Sequence, residues 1–400
     1  MLAALSLPAP AATYNAATSS RTDVLAAIAL ASPGDTVSVP AGTSSWSGDI
    51  SITGITLQGP GKDAGSPTVI TAGTVHIDKH ATHHTKLIGF RFTANGTHYN
   101  ISGPLGNKPF VVGDCYFSNN GATMGTLDTN GGLFYSCQWV AVSAHSADTF
   151  TINLGGTGTS GQTSWEAAPS MGMDDPTGEI NTYFEDCSWS GFLEVSMDVD
   201  NGARVVVRYC TFTDSSIVAH GGGGGNDTSQ YGNKHVEIYN CTFDRVSNAN
   251  AVNKWMWWRG GGGVFVNNSV EDASSPDGSS YPNKPEIQLS VGCPDAYPMT
   301  YQVGQAEVPA DATPDFPIII TGNTGAGAGS GNFITIGENP NNACATPGDY
   351  IQSGRDYVTS NTWGWTAYTY PHPLRDDSPP APPSGPGNTG LKVRGVRNKR

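Results

Sequence analysis

The stretch VEIYNCTFDRV, residues 236–246, repeats the pattern of VVVRYCTFTDS at residues 205–215. In both, apolar residues recur at alternate positions and are followed by Cys, one further residue and Phe. Such a period of two is typical of a β-strand with one face in a core. At Asn240 the alternation shifts by one residue, and Cys241 and Phe243 become the inward pair. The shift indicates a bend between two strands.

The same pattern recurs along most of the chain at intervals of about 22–31 residues, with a few longer gaps, which indicates a repeat architecture. Aligned on the Cys, one column reads Phe90, Cys115, Cys137, Cys187, Cys210, Cys241, Asn268, Asn323 and Asn361. Two residues later the column reads Phe92, Phe117, Trp139, Trp189, Phe212, Phe243, Val270, Gly325 and Trp363. Coils of strand, bend and strand stacked about 4.8 Å apart explain the repeat. The five Cys are therefore predicted to form a buried ladder of free thiols.

The composition agrees with strands and turns: the chain has 51 Gly, 27 Pro and only 14% charged residues. One helix is predicted within residues 19–32, with Ser or Thr caps, apolar side chains at Val24, Leu25 and Ile28, and a stop at Pro33. A single helix ahead of stacked coils suits a cap on the open end of the core. No apolar run of about 20 residues occurs, so no membrane span is expected.

Two segments carry a family resemblance. TDVLAAIALASPGDTVSVPAGT (22–43) and ISITGITLQGPG (50–61) resemble the N-terminal segment of the pectate-lyase-like superfamily. The resemblance covers roughly residues 20–375 and implies a right-handed parallel β-helix with a helical cap. It leaves the activity open, because that superfamily includes lyases, polygalacturonases, epimerases, phage tailspikes and non-catalytic adhesins.

A looser pattern resembles an uncharacterised bacterial subgroup of the same superfamily. Its elements here are MDVDNGARVVVR (197–208), HGG (220–222), VEIYN (236–240), RGGGG (259–263) and YPHPL (370–374). We therefore predict an all-β, single-domain right-handed parallel β-helix over 19–375. Residues 1–18 are interpreted as a signal remnant or N-terminal extension, and 376–400 as a Pro/Gly-rich basic tail.

The charge balance limits the partners. A net charge of −14 argues against nucleic acid. It also disfavours an acidic polysaccharide unless local basic groups or bound Ca²⁺ offset it, whereas a neutral glycan needs neither. Cys293 and Cys344 lie in irregular segments and are candidates for a disulfide, which would indicate an oxidising, extracellular compartment.

Candidate chemistry is concentrated in residues 165–263. Asp198 and Asp200 alternate ahead of a Gly, and oxygen ligands in a short turn suit Ca²⁺; the alternative is a solvated turn. His220 opens a run of five Gly and could act as a base, as could Lys234, unless both are structural. Arg204 is predicted to face outward and to reach solvent, an acid or a ligand carboxylate.

A fourth catalytic candidate, Asp175, comes from a weaker resemblance. Asp174 and Asp175 with a later His-Gly are similar to polygalacturonases, in which carboxylates activate water and protonate the leaving oxygen. The N-T-D and R-I-K elements of those enzymes do not appear here in order.

The segment WMWWRGGGG (255–263) carries the predicted substrate-binding residues. Because its large side chains cannot all face one core, at least one Trp is expected at the surface. The candidates that would stack on or hydrogen-bond to a sugar are Trp255, Trp257, Trp258, Arg259 and Tyr231. The alternative is a satellite core of packed Trp side chains.

These features predict a secreted or surface-exposed protein, cellular or viral, that acts on a polysaccharide or surface glycan. As an enzyme it would be a polysaccharide lyase or glycoside hydrolase working in a surface groove, with calcium as its sole candidate cofactor. The alternatives are a non-catalytic adhesin, a tailspike-like protein or a purely structural β-helix. The oligomeric state is open.

Overall fold

The structure is a computed structural model. The residues it describes are 10–93, 96–119, 123–145, 150–152, 175–192, 195–200, 202–219, 233–246, 254–272, 286–291, 317–325, 333–338, 351–362 and 364–375. Cys293, Cys344 and the tail at 376–400 lie outside them, so the disulfide and the tail stay predictions.

The strands form three parallel sheets, and each sheet takes every third strand of the chain. Sheet A consists of β1 (Thr13–Asn15), β2 (Thr36–Ser38), β5 (Thr56–Gln58), β8 (Thr85–Ile88), β11 (Phe110–Gly113), β14 (Gly132–Tyr135), β17 (Thr182–Glu185), β20 (Arg204–Arg208), β23 (His235–Tyr239), β26 (Gly262–Val266), β29 (Ile318–Thr321) and β32 (Tyr357–Val358). Sheet B consists of β3 (Gly42–Ser44), β6 (Thr68–Ile70), β9 (Phe90–Phe92), β12 (Tyr116–Asn119), β15 (Gln138–His145), β18 (Ser188–Phe192), β21 (Thr211–Thr213), β24 (Thr242–Arg245), β27 (Ser269–Asp272) and β30 (Thr324–Gly325). Sheet C consists of β4 (Ile50–Thr53), β7 (Val75–Asp78), β10 (Tyr99–Ser102), β13 (Gly125–Leu127), β16 (Phe150–Ile152), β19 (Met197–Val199), β22 (Ile217–Ala219), β25 (Lys254–Trp258), β28 (Glu286–Val291) and β31 (Ile334–Glu338).

The chain is thus a right-handed parallel β-helix with three sides, and the predicted fold class is confirmed. Each coil passes from sheet A to B to C and returns to A one rung further along. The first strand, Thr13–Asn15, pairs with Thr36–Ser38, so sheet A begins ahead of the boundary predicted at residue 19.

The predicted bend is the corner between sheets A and B. Eight successive coils place one residue there at positive φ, between 50° and 80° in the left-handed region. These residues are Gly89, Asp114, Ser136, Asp186, Tyr209, Asn240, Asn267 and Gly322. One left-handed residue turns the chain and moves the following side chains to the inner face, which explains the shift in alternation at Asn240.

Inside the coil, the two predicted columns form stacks. The five ladder thiols are free and at most 2% exposed, as predicted, and the ladder continues into Asn268 and Asn323, whose side-chain carbonyls accept hydrogen bonds from the preceding coil at 2.9 Å. The aromatic rings of neighbouring coils stack at centroid distances of 4.6 to 5.5 Å, from Phe92 to Phe243. Asn361 does not extend the ladder: it is exposed and bonds to Trp365 instead.

The predicted cap is α1 (Arg21–Ile28), shorter than expected. The Ser20 hydroxyl accepts a hydrogen bond from the Asp23 amide and begins the helix. Val24 and Ala27 are buried against the first coils, and Leu25 and Ile28 are partly buried there. A short 3₁₀ helix, η1 (Pro373–Arg375), is the last described element. In the described part of the chain no helix is long and apolar enough to cross a membrane.

The cap is tested by placing a carboxylate beneath it. In Val24→Asp a buried charge would lie against the end of the core, so we expect the free energy of unfolding to fall by about 3 kcal/mol or more, measured by chemical denaturation. Leu30→Asp is the control, because Leu30 lies just beyond the helix and is 65% exposed. Equal stability of the two variants would show that α1 does not seal the core.

Candidate functional site

The outer face of sheet A is covered by protein, although most outer faces of a β-helix meet solvent. Its strands β20, β23 and β26 are buried at every position. A second hydrophobic layer on this outer face includes Tyr183, Val206, Val264, Tyr368 and Leu374. The last two come from residues 364–375, which cross the outside of the sheet and are called here the C-terminal strap.

A buried ion pair fixes the strap to the sheet. Register places Glu185, Arg208 and Tyr239 in one outward row. Arg208 and Glu185 are both fully buried and form a salt bridge. The Arg208 guanidinium also donates to the Tyr239 hydroxyl at 3.0 Å and to the strap carbonyls of Tyr368 and Thr369 at 3.0 and 2.7 Å. All five guanidinium donors therefore have acceptors.

A second buried carboxylate, Glu237, holds the other half of the strap. It accepts hydrogen bonds from the Tyr368 hydroxyl at 2.5 Å and from the Trp365 indole at 2.9 Å. The backbone amide of His372 donates to Glu185 at 3.1 Å. Burial raises the pKa of Tyr368, and Glu237 raises it further, so this hydroxyl remains a donor.

One predicted catalytic residue, Arg204, lies on this covered face, and a second, Lys234, lies directly before β23. Arg204 does face outward, but it is 1% exposed and its guanidinium lies 3.4 Å from His235 Nδ1. Burial lowers the pKa of Arg204 to about 10 and, with the cations of Arg204 and Lys234, holds the pKa of His235 well below its usual value. Lys234 is 7% exposed. Of the three predicted surroundings of Arg204, solvent is excluded by its burial, whereas an acid, Glu237, acts on it electrostatically.

Asp175 is also buried near the strap, at 3% exposure. Its carboxylate accepts the backbone amides of Ile180 and Asn181 at 2.8 and 2.9 Å, which orders the turn into β17. Its carbonyl oxygen lies 3.0 Å from His372 Nε2. These contacts give Asp175 a structural position, and its catalytic assignment stays a prediction.

The remaining described candidates lie on sheet C. Register aligns Asp198, Val218, Trp257 and Gln288 in one outward column through four coils. Asp198 and Trp257 are two coils apart, or about 10 Å. Arg259 follows the end of β25, and its amide donates to the Ala219 carbonyl of the preceding coil at 2.8 Å. We call Asp198, Trp257, Arg259, Lys254 and Gln288 the Trp257 face.

Trp257 is the partly exposed Trp of its segment. The Lys254 ammonium lies 4.7 Å and the Arg259 guanidinium 4.9 Å from its ring centre, within cation–π range. Its indole N–H donates to the hydroxyl of the buried Ser290 at 2.8 Å, which fixes the orientation of the ring. The result is an aromatic surface flanked by two cations.

Trp255 and Trp258 are not surface residues, which corrects their assignment to substrate binding. They are at most 1% exposed and belong to the inner core. A register irregularity between Lys254 and Met256 puts Trp255 on the inside together with Met256. Trp258 occupies the space left by Gly263, where an added Cβ would lie 2.5 Å from its ring.

The predicted calcium residues belong mainly to a strand. Asp198 is central in β19, and Asp200 follows it with 8% exposure. Within the described ranges no group of three or more His, Cys, Asp or Glu side chains is arranged to hold a metal ion. Calcium binding remains a prediction.

The candidate site residues taken from the sequence lie on two different faces of the fold: Arg204 on sheet A, and Asp198, Trp257 and Arg259 on sheet C. His220 and Tyr231 lie outside the described residues. The strap residues Trp365, Tyr368 and His372 were not assigned a role, although the unbroken apolar run Val205–Val207 indicates a strand covered on both sides. Lys254 and Gln288 were also missed, and their outward positions depend on register across the gap between β25 and β28.

Comparison with known proteins gives similarities to solved structures. No family model matches the chain, and no curated protein matches it. An alginate lyase from Paenibacillus sp. str. FPU-7 is 12% identical, with a TM-score of 0.33, covering 82% of this chain and 98% of the lyase. The catalytic domain of a GH87 alpha-1,3-glucanase in complex with nigerose is 10% identical, with a TM-score of 0.30, covering 84% of this chain and 69% of that domain.

The buried ion pair provides a test of the strap. Arg208→Met leaves the buried Glu185 with Arg375 at 3.5 Å as its remaining cation, so we expect the free energy of unfolding to fall by about 3 kcal/mol, with proteolytic cleavage within 364–375. The double variant Glu185→Gln/Arg208→Met should lose less than the two single changes together, because no buried charge remains. Arg91→Met is the control, since Arg91 packs on Tyr116 at the surface of sheet B. A strap that resists protease in Arg208→Met would contradict the role of this pair.

Proposed function

We propose that this protein is an extracellular, carbohydrate-directed β-helix that holds a polysaccharide on the Trp257 face and cleaves it. The observation that carries the proposal is the outward, partly exposed ring of Trp257, fixed by Ser290 and flanked by two cations. Indole rings stack on sugar faces, while Lys and Arg donate to hydroxyl or carboxylate oxygens. A column of outward residues at regular spacing suits an extended chain of sugars.

The charge of this face also bears on the ligand. The chain as a whole carries −14, which repels an acidic polysaccharide. Lys254 and Arg259 offset that repulsion locally, and Asp198 lies about two coils away. The face therefore suits a glycan that presents hydroxyls near Asp198 and an acceptor-rich group near Trp257.

Hydrolysis is the chemistry that the carboxylates favour. Asp198 lies in β19 and Asp200 follows the end of that strand, so the two side chains alternate onto the same side of the chain. Glycoside hydrolases use two carboxyl groups about 5–9.5 Å apart, one to protonate the leaving oxygen and one to activate water or attack. In this proposal Asp198 and Asp200 fill these roles in a sugar chain held by Trp257.

Elimination is a second candidate, favoured by Arg259. A lyase needs a cation that neutralises the uronate carboxylate and a base that removes the adjacent proton. Arg259 would be the cation and His220 the base, or Ca²⁺ at Asp198 and Asp200 would replace the cation. Arg204 and Lys234 fit this chemistry less well because both are buried.

Binding at the Trp257 face is tested by Trp257→Ala. With a panel of neutral and acidic polysaccharides, we expect its affinity for the bound polysaccharide to fall by about tenfold or more, measured by affinity electrophoresis. Tyr116→Ala is the matched control, because Tyr116 is an outward aromatic side chain under an Arg on sheet B. Equal effects of the two changes would exclude a specific role for Trp257.

The same panel of polysaccharides distinguishes hydrolysis from elimination by the products released. Hydrolysis produces reducing ends without unsaturated products, whereas elimination produces both. In Asp198→Asn turnover should be lost while binding persists. If wild-type protein binds but releases neither product, the protein is an adhesin or tailspike-like binder.

A further inference from the structure

One residue of the corner between sheets A and B differs in kind from the rest of its column. The other positions of that column are Gly, Asn, Asp or Ser, the side chains that tolerate left-handed backbone best. Tyr209 holds φ at 55° in the same column. A bulky side chain is strained in that region, and such strain persists where something else requires the residue.

Burial of the Tyr209 side chain does not explain why a Tyr stands at this strained position. Tyr209 is 39% exposed, and so is Tyr370 of the strap, against which it packs with ring centroids 3.8 Å apart. Within the described residues these two are the exposed Phe, Trp or Tyr side chains. The fold therefore brings together two aromatic rings from positions 161 residues apart in the chain and leaves both in contact with solvent.

Polar groups border the pair on the side of the preceding coil. The Tyr370 hydroxyl donates to Asp186 at 2.8 Å, and Arg375 donates to the other oxygen of Asp186 at 2.6 Å. Asp186 is the exposed corner residue directly before Tyr209 in the column. An aromatic surface with a carboxylate and a guanidinium at its edge offers stacking to a sugar ring and both acceptors and donors to its hydroxyls.

We infer that Tyr209 and Tyr370 form a second carbohydrate-binding site, which stacks one sugar ring and bonds its hydroxyls through Asp186 and Arg375. This inference rests on the proposed function, since the ligand is the same polysaccharide. The site lies at the corner opposite sheet C, so one short oligosaccharide cannot fill both sites. A long polysaccharide can engage both, which raises its apparent affinity through effective concentration.

The discriminating variant is Tyr209→Asn, because Asn occupies this corner position in the next coil at Asn240 with φ 54°. Asn relieves the backbone strain, so the melting temperature should stay the same or rise. We expect retardation by the long polysaccharide in affinity electrophoresis to weaken at least threefold, while turnover of a short oligosaccharide stays unchanged. Tyr209→Phe keeps the ring and should retain most of the binding.

Two results would overturn the inference. Retardation of Tyr209→Asn equal to wild type would show that the ring binds no sugar. A melting temperature several degrees lower, with protease cleavage in 364–375 and unchanged binding, would show that Tyr209 only anchors the strap. Failure of the proposed function is distinguishable from both, since wild-type protein would then bind no polysaccharide of the panel.

Discussion

The structure depends on the in-register hydrogen bonding of each coil to the next. All strand pairs are parallel and in register, so a side chain keeps its inward or outward direction from coil to coil. A register slip of one residue would turn every inward side chain of that strand outward and every outward one inward. The left-handed corner residue before each sheet B strand from β9 onward sets that direction, since it shifts the alternation once in each of those coils. The thiol ladder, the aromatic stack and the outward columns all follow from this single constraint.

Because register fixes which side chains point outward, the outer faces of sheets A and C carry different residues. On sheet A, outward apolar and charged side chains are buried beneath the C-terminal strap, where Arg208 and Glu237 satisfy strap hydrogen bonds. That face is closed and contributes to stability. On sheet C, Asp198, Trp257 and Gln288 stand in one column, and the ring is fixed by a hydrogen bond from below. The partly exposed Trp257 ring lies there with Lys254 and Arg259 beside it.

The sequence predicts the fold well and the site only in part. The repeat around Cys241, the bend at Asn240 and the Ser20-capped helix are local signals, and the structure confirms them. The burial of Arg204 depends instead on a strap more than 160 residues away, which no local pattern reveals. Trp255 and Trp258 were placed wrongly because a register irregularity beside Met256 decides which Trp faces inward.

A crystal structure with a bound oligosaccharide tests most directly whether a polysaccharide lies along the outer face of sheet C. The fragment should be prepared from whichever polysaccharide the protein binds and soaked into an Asp198→Asn variant. We expect a sugar ring stacked on Trp257, within reach of Arg259, with the oligosaccharide running across the coils toward Asp198. A sugar chain bound on sheet A with the strap displaced, and no contact with Trp257, would contradict it.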